Sequence, residues 1–529
     1  MTGPVRSTSL NRDRRAVDLD ALAGGEVLDL LVVGGGVTGV GVALDAATRG
    51  LRVGLLERHD LAFGTSRWSS KLVHGGLRYL ASGDVRLAHQ SAVERNVLLR
   101  YTAPHLTRAL PMVVPITDRM SRREIRQVRV GVLAGDLLRA AAGTPRGLLP
   151  RPRRLSATET LSVLPAVRAA GLRAGVLTWD GQLTDDARLV VALARTAAGH
   201  GARVLTRTRV TALDGSGAQV TDTLGGGTFE VRARSVVNAT GVWAGALAPE
   251  VTLRPSRGTH LVVRAAALGN PGAGLTVPVP GERNRYVFVL PQRDGHVYVG
   301  LTDEPVDGDP PDLPEPTRRE IRFLLDTVNA ALDLPLADTD VLGAFAGMRP
   351  LLPGSAGATA DLSRRHVVAR GPDGVLTVVG GKLTTYRAMA ADAVDAAVRH
   401  AGLPAGPCRT RRLPAVGAAP RGTLARIRAP RRLVDRYGTE AGRVLAEAAE
   451  TAGVAEPAGR TGLARSAGTG HLLRPLAEGV EVTGAEVLFA IRHEGALDAE
   501  DVLDRRTRLG LVPAERRAAL PCVRDLLAR

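Results

Sequence analysis

The sequence predicts an α/β protein in which a parallel-sheet domain is joined to a domain of antiparallel strands and to a helical C-terminal domain. Three observations support this. A short apolar run, Val27 to Val33, leads straight into Gly34-Gly35-Gly36-Val37-Thr38-Gly39 and a helical pattern. Period-two alternation then marks strands spread between residues 203 and 301. Beyond residue 420 the pattern turns strand-poor and helical.

The elements follow in order. Residues 1–26 show no sustained periodicity and read as a tail. The near-continuous apolar run at 27–33 is what a central parallel strand, covered on both faces, requires. Val40 to Arg49 carries small and apolar residues at helical spacing, and Gly50 stands where a helix end needs glycine. Arg52 to Leu56 is the next strand and ends at Glu57, which completes a βαβ unit. Ser121 to Ala142 is helical, and Thr144 to Pro152 breaks the pattern with proline and glycine. Strands are expected at 203–213, 218–224, 228–233, 260–264, 286–291 and 296–301. Leu376 to Val379 is a further strand before Gly380-Gly381-Lys382 and a helix over 385–400. This sets off a tail (1–26), a linker (401–420) and a helical domain (421–529).

Composition narrows the function. A chain of 529 residues, 44% hydrophobic, is long enough for several domains with sizeable cores. The most apolar segment, 27–47, is broken by Asp29, Asp45 and glycines, so no helix of about 18 apolar residues is expected to cross a bilayer. The N-terminus has no apolar core of a secretory signal, and a cytoplasmic location is expected. Cys408 and Cys522 read as thiols without a catalytic role. The net charge of +17 comes from arginines scattered along the chain. Without an aromatic stacking platform beside them, it does not mark a nucleic-acid binder. It leaves weak attraction to anionic lipid open.

The glycine motif has the context that gives Gly-x-Gly-x-x-Gly its meaning: strand before, helix after, and Glu57 at the end of the following strand. Gly34 permits the tight turn, Gly36 lets backbone approach a pyrophosphate, and Gly39 lets helix and strand pack closely. Amides at the helix start hold the diphosphate, and the Glu57 carboxylate accepts from ribose hydroxyls. The polar loop from Gly64 to Tyr79 could line a diphosphate and a flavin ring. Lysine occurs only at Lys71 and Lys382, every other basic side chain being arginine, and both lie in glycine-rich motifs. That retention suggests two sites where a compact ammonium is required.

Ser69 to Leu80, Asn238-Ala239-Thr240-Gly241, Gly347-Met348-Arg349-Pro350, Gly380 to Arg387 and the segment Glu494 to Leu511 together resemble the FAD-dependent (aerobic) glycerol-3-phosphate dehydrogenase family, over about residues 27 to 515. The resemblance implies a glutathione-reductase-type, Rossmann-like FAD domain that is discontinuous in sequence (27–100, 176–257 and 366–400), an antiparallel-sheet substrate domain (101–175 and 258–365) and a C-terminal helical domain. It implies FAD as cofactor and oxidation of sn-glycerol 3-phosphate to dihydroxyacetone phosphate by hydride transfer to flavin N5. Electrons then pass to a quinone, with peripheral contact at the inner face of the membrane, and the chain forms a homodimer. No metal and no nucleic acid are implied.

Carried over by position, Gly34, Gly36, Thr38, Gly39 and Glu57 hold the ADP half. Thr65, Ser69, Ser70, Lys71, His74, Gly75, Gly76, Ala239, Thr240 and Gly241 line the diphosphate and flavin. Gly381, Lys382, Leu383 and Thr384 meet the pyrimidine edge of the ring. Arg78, Tyr79, His260, Arg349, Arg364 and Lys382 surround the substrate. A phosphate dianion asks for convergent, bidentate cations, for which Arg349 and Arg364 are suited. Removal of hydride from C2 asks for a base at its hydroxyl, for which His260 is the favoured group. Lys382 supplies positive charge beside the reduced ring. Two alternatives share the fold: an oxidase that passes electrons to oxygen and releases peroxide, and an amine or amino-acid oxidase. The stretches before Val27 and from Pro145 to Arg154 depart from the family pattern.

Overall fold

In the computed structural model, residues 7–76, 79–80, 83–282, 285–353, 365–453 and 471–528 are described. The main helices are α1 (Arg12–Ala23), α2 (Val37–Thr48), α3 (Arg122–Ala141), α4 (Asp186–Gly199), α5 (Arg318–Asn329) and α6 (Tyr386–Ala401). The strands that position the site are β1 (Leu30–Val33), β2 (Val53–Leu56), β3 (Thr107–Thr117), β4 (Leu172–Leu183), β5 (Ser256–Arg264), β6 (His296–Gly300), β7 (Val341–Arg349) and β8 (Leu376–Gly380).

The apolar run ahead of the glycine motif becomes β1, every residue of which is buried, at the centre of a six-stranded sheet. It pairs in parallel with β2 on one side and with Val236–Asn238 on the other, and β8 continues the parallel order. Helices α2, α4 and α6 cover one face in a single apolar cluster. The other face packs on a three-stranded antiparallel sheet over 208–232. With Arg203–Leu205 parallel beyond β2, this brings the C-terminal ends of five parallel strands to one edge, where open α/β sheets bind ligands.

A ten-stranded, largely antiparallel sheet forms the second layer. Its back face, including Leu261, Val263, Val287, Val289, Val297 and Val299, buries against Leu324, Leu325 and Val328 of α5. The alternate residues of the same strands face the parallel sheet and wall the cleft described below. The described residues beyond 430 are mostly helical, with their own apolar clusters around Phe489 and around Val502 and Leu503.

Two expectations are corrected. The expected tail contains α1, capped by the Asn11 side chain, which accepts from Arg14 N–H at 2.9 Å. The helix is held by Leu22, which is fully buried, and by polar anchors: Arg15 to Asp222, Arg203 to Asp18, and Arg14 to the Ala198 and Ala202 carbonyls. Polar anchoring of this kind leaves no apolar periodicity to read. The domain border at 175/176 cuts through β4, which pairs along its whole length with β3 in the antiparallel sheet. The same sheet also takes in Leu72–Val73.

Candidate active site

A cleft of ≈ 1890 Å³ separates the two sheets. That exceeds the roughly 300–1,000 Å³ of a drug-sized pocket and suits a dinucleotide together with a second ligand. Gly34, Gly36, Thr38, Glu57, Thr65, Ala239, Thr240 and Gly241 all line it. Gly34 has φ +113°, and a Cβ there would meet the Ala239 carbonyl oxygen at 2.6 Å. Gly39 does not line the cleft: a Cβ on it would lie 1.9 Å from the Gly34 carbonyl oxygen, so it serves by letting α2 close on the turn. Ser66 Oγ accepts from Val37 N–H at 2.9 Å and steadies the first turn of α2.

Glu57 is aimed by two backbone donors, Gly35 N–H at 2.6 Å and His59 N–H at 2.8 Å. Burial raises its carboxyl above the ordinary range, against those hydrogen bonds. Asn238 Oδ1 accepts from both Thr240 N–H and Oγ1–H, which fixes the loop that faces the glycine turn. Thr65 Oγ1 donates to the Met348 carbonyl at 2.5 Å and ties this loop to β7.

At the other end, Ser69, Ser70, His74, Gly75, Gly76, Tyr79, Gly381, Lys382, Leu383 and Thr384 line the cleft. Lys382 Nζ sits 4.4 Å from the Tyr79 ring centroid. His74 Nδ1 lies 2.9 Å from Asp180 Oδ2, and Arg95 donates to the other Asp180 oxygen at 2.7 Å. Burial works to raise the Asp180 carboxyl, but Arg95 and His74 outweigh it and hold it at about 2. Lys71 corrects its assignment. Its ammonium is 1% exposed and bonds Asp186 Oδ2 at 2.8 Å and the Arg67 carbonyl at 2.7 Å, out of the cleft. Arg78 and Arg364 lie outside the described residues.

His260 and Arg349 come from neighbouring strands and share the face of the antiparallel sheet that looks into the cleft. The sheet clears room for both with glycine. A Cβ at Gly300 would lie 2.3 Å from His260 Cδ2, and one at Gly258 would lie 2.1 Å from the Arg349 guanidinium. Arg349 donates to Ser256 Oγ and Asp303 Oδ1, each at 3.2 Å, and to the Thr302 carbonyl at 3.1 Å. His260 is buried and stacked on Phe345 at 4.8 Å. Burial first, then the charges of Lys71 and Arg349, hold its imidazole well below its usual pKa, so the ring is neutral at pH 7. Sequence reasoning missed Ser66, Asp180, Ser256, Asp303 and Phe345. Ser66 lay within the polar loop already singled out, whereas the others gain their meaning only from partners tens to hundreds of positions away.

Residues 29–387 match the family profile described as FAD dependent oxidoreductase, and residues 408–529 match that of the C-terminal domain of alpha-glycerophosphate oxidase. The fold and cleft thus define an FAD-dependent oxidoreductase. Among curated proteins, glycerol-3-phosphate dehydrogenase 1 of Mycobacterium tuberculosis is 51% identical, over 99% of this chain and 99% of its own length. The crystal structure of the Bacillus halodurans glycerol-3-phosphate dehydrogenase complexed with FAD matches with TM-score 0.72 at 25% identity, over 99% of this chain and 94% of that one. L-alpha-glycerophosphate oxidase of Mycoplasma pneumoniae shares the fold, with TM-score 0.56 at 21% identity over 74% of this chain and 99% of that one. The chain belongs to the FAD-dependent glycerol-3-phosphate dehydrogenase family. The residues present fit FAD: the glycine cradle leaves no room for a Cβ at Gly34 or Gly39, and an aimed carboxylate stands at the end of β2.

Proposed function

We propose that this protein oxidises the C2 hydroxyl of sn-glycerol 3-phosphate to the ketone of dihydroxyacetone phosphate and delivers the electrons to a quinone at a membrane surface. One observation carries the reading: a neutral imidazole and a clamped guanidinium project from adjacent strands into the cleft that holds the dinucleotide cradle. The 51% identical relative, a glycerol-3-phosphate dehydrogenase by name, supports the substrate.

FAD bound in this cleft supplies the acceptor for two electrons, taken from C2 as hydride. His260 removes the C2 hydroxyl proton, since its neutral ring offers a lone pair at pH 7. Arg349, already fixed by Ser256, Asp303 and the Thr302 carbonyl, meets the phosphate without first losing rotamer freedom. Arg78 and Arg364 are assigned to the same substrate by their place in the family motifs. Lys382, over the Tyr79 ring, supplies positive charge on the ring side of the cleft.

Helix α3 supports the membrane and quinone part. Val130, Leu133 and Leu137 fall on one side of it at helical spacing and are 60%, 64% and 72% exposed. Arg122, Arg123, Arg126 and Arg129 are exposed on its first two turns, as an interfacial helix on anionic lipid would have them. Val128, Val132 and Leu138 of the same helix line the cleft, so an apolar acceptor arriving from that surface reaches it directly.

Anaerobic titration of the flavin-loaded protein with glycerol 3-phosphate tests the reading. The visible flavin absorbance should bleach with about one equivalent of substrate, and a soluble quinone should restore it. A flavin that keeps its colour refutes the substrate; one peroxide formed per substrate in air refutes the quinone in favour of oxygen.

A further inference from the structure

The Ser69-Ser70-Lys71 turn carries the first part of the glycine-rich motif, and its position expects it to touch the cofactor. In the structure Ser69 and Ser70 line the cleft and Lys71 does not. Asp186, at the start of α4, gathers the turn through a single carboxylate oxygen, which accepts from Ser69 N–H at 3.0 Å, Ser69 Oγ–H at 2.7 Å and the Lys71 ammonium at 2.8 Å. Ser69 Oγ in turn accepts from Lys71 N–H at 3.0 Å. Lys71 has φ +57°, a left-handed conformation unusual for a residue with a side chain. The chain therefore reverses at this point: Lys71 points into the core and Ser70 into the cleft.

There Ser70 Oγ stands 2.8 Å from His260 Nε2. The other ring nitrogen, Nδ1, is buried and has no partner among the described residues. Among the described residues the contact with Ser70 is therefore the one hydrogen bond to the ring, and because a hydroxyl donates to a bare ring nitrogen or accepts from a ring N–H, it anchors Nε2 in either neutral tautomer. Stacking on Phe345 fixes the plane of the ring but cannot distinguish its two nitrogens.

We infer that Ser70 is a positioning residue for His260 rather than a ligand of the cofactor diphosphate, and that Asp186, Ser69 and Lys71 are the bracket that holds it in place. The inference rests on His260 being the base in the reaction proposed above. Its structural half, the Ser70 to His260 link, stands without that reaction.

Two measurements on the flavin-loaded enzyme decide it. In steady-state kinetics, Ser70→Ala should retain FAD and a KM within about twofold, while kcat falls about tenfold or more; Ser70→Thr, which keeps the hydroxyl, should recover most of the loss. In spectra of protein labelled with [15N]histidine, the Nε2 signal of one buried ring should shift in the alanine variant, where its hydrogen bond is lost, and return towards the wild-type position in the threonine variant. Loss of FAD from Ser70→Ala would overturn the inference in favour of a cofactor ligand. So would an unchanged kcat, or ring signals identical in all three proteins. Should glycerol 3-phosphate fail to reduce the wild-type flavin, the reaction assignment falls, and the nitrogen spectra still decide the link to His260.

Discussion

The side chains of the site are held by hydrogen bonds with neighbouring protein groups. Arg349 is the clearest case: three acceptors fix its fork, and glycine at 258 gives it space. Replacing it with methionine removes charge-assisted hydrogen bonds of about 1.5–3 kcal/mol, so kcat/KM for the phosphorylated substrate should fall about 10-fold to 100-fold with FAD content unchanged. Steady-state kinetics at saturating acceptor, beside the flavin spectrum, checks this. Gly34, Gly36, Gly39 and Glu57 were legible because one short window contains them, and the physics of a turn between strand and helix constrains them tightly. Asp303 and Asp180 were not legible, because a carboxylate that orients a cation 46 or 85 positions away leaves no local pattern. Lysine scarcity drew attention to both Lys71 and Lys382, but composition cannot distinguish an ammonium sealed beside Asp186 from one facing the cleft.

Among the elements, α3 was readable from sequence almost to the residue because a capping box marks its start: Ser121 and Glu124 bond each other's backbone N–H groups. The direction of its apolar residues was not readable. A helix at 122–141 would ordinarily turn Val130, Leu133 and Leu137 inward, yet among its described side chains only Leu138 and Arg139 are buried. Exposing three such residues costs a folded chain nothing if lipid covers them, since each contributes on the order of 1 kcal/mol or more when it leaves water. Leu133→Glu with Leu137→Glu should abolish sedimentation with anionic vesicles at low salt and leave substrate reduction of the flavin intact. Unchanged sedimentation of the double variant would assign the contact to another surface. Helix α1 is the converse case, hidden from sequence because arginine and carboxylate pairs anchor it more than an apolar stripe does.

Across the whole molecule, the C-terminal helical region is bound to the cofactor domain by buried ion pairs. Arg505 and Arg506 both reach Asp60, just beyond Glu57 in sequence, at 2.6 and 2.8 Å. Arg188 pairs with Glu494 at 2.6 Å, and Arg195 with Glu440 at 2.6 Å. Burial works to raise the Asp60 carboxyl, but the Arg506 and Arg505 charges outweigh it and hold it well below the usual carboxylate range. A depressed carboxyl contributes stability above its unfolded pKa of about 3.9, lost as the pH falls towards the folded value. Asp60→Asn leaves two arginines short of their counter-charge and should destabilise the protein by about 3–5 kcal/mol. The effect would be seen as a lower thermal midpoint at pH 7 and a smaller loss of stability on acidification than in the parent. No arginine of these pairs lies near its carboxylate in sequence, so the match of helical pattern to helical domain was visible at the start and the lock between domains was not.

Scarcity of side-chain amines also governs how the folded molecule can be handled. With Lys71 shut inside beside Asp186, a reagent that seeks lysine finds only Lys382, on the wall of the catalytic cavity. Coupling to beads or dyes by acylation would plug the enzyme it was meant to report on, whereas Cys408, an exposed residue whose thiol donates to Asp45 at 2.9 Å, offers a tether outside that cavity.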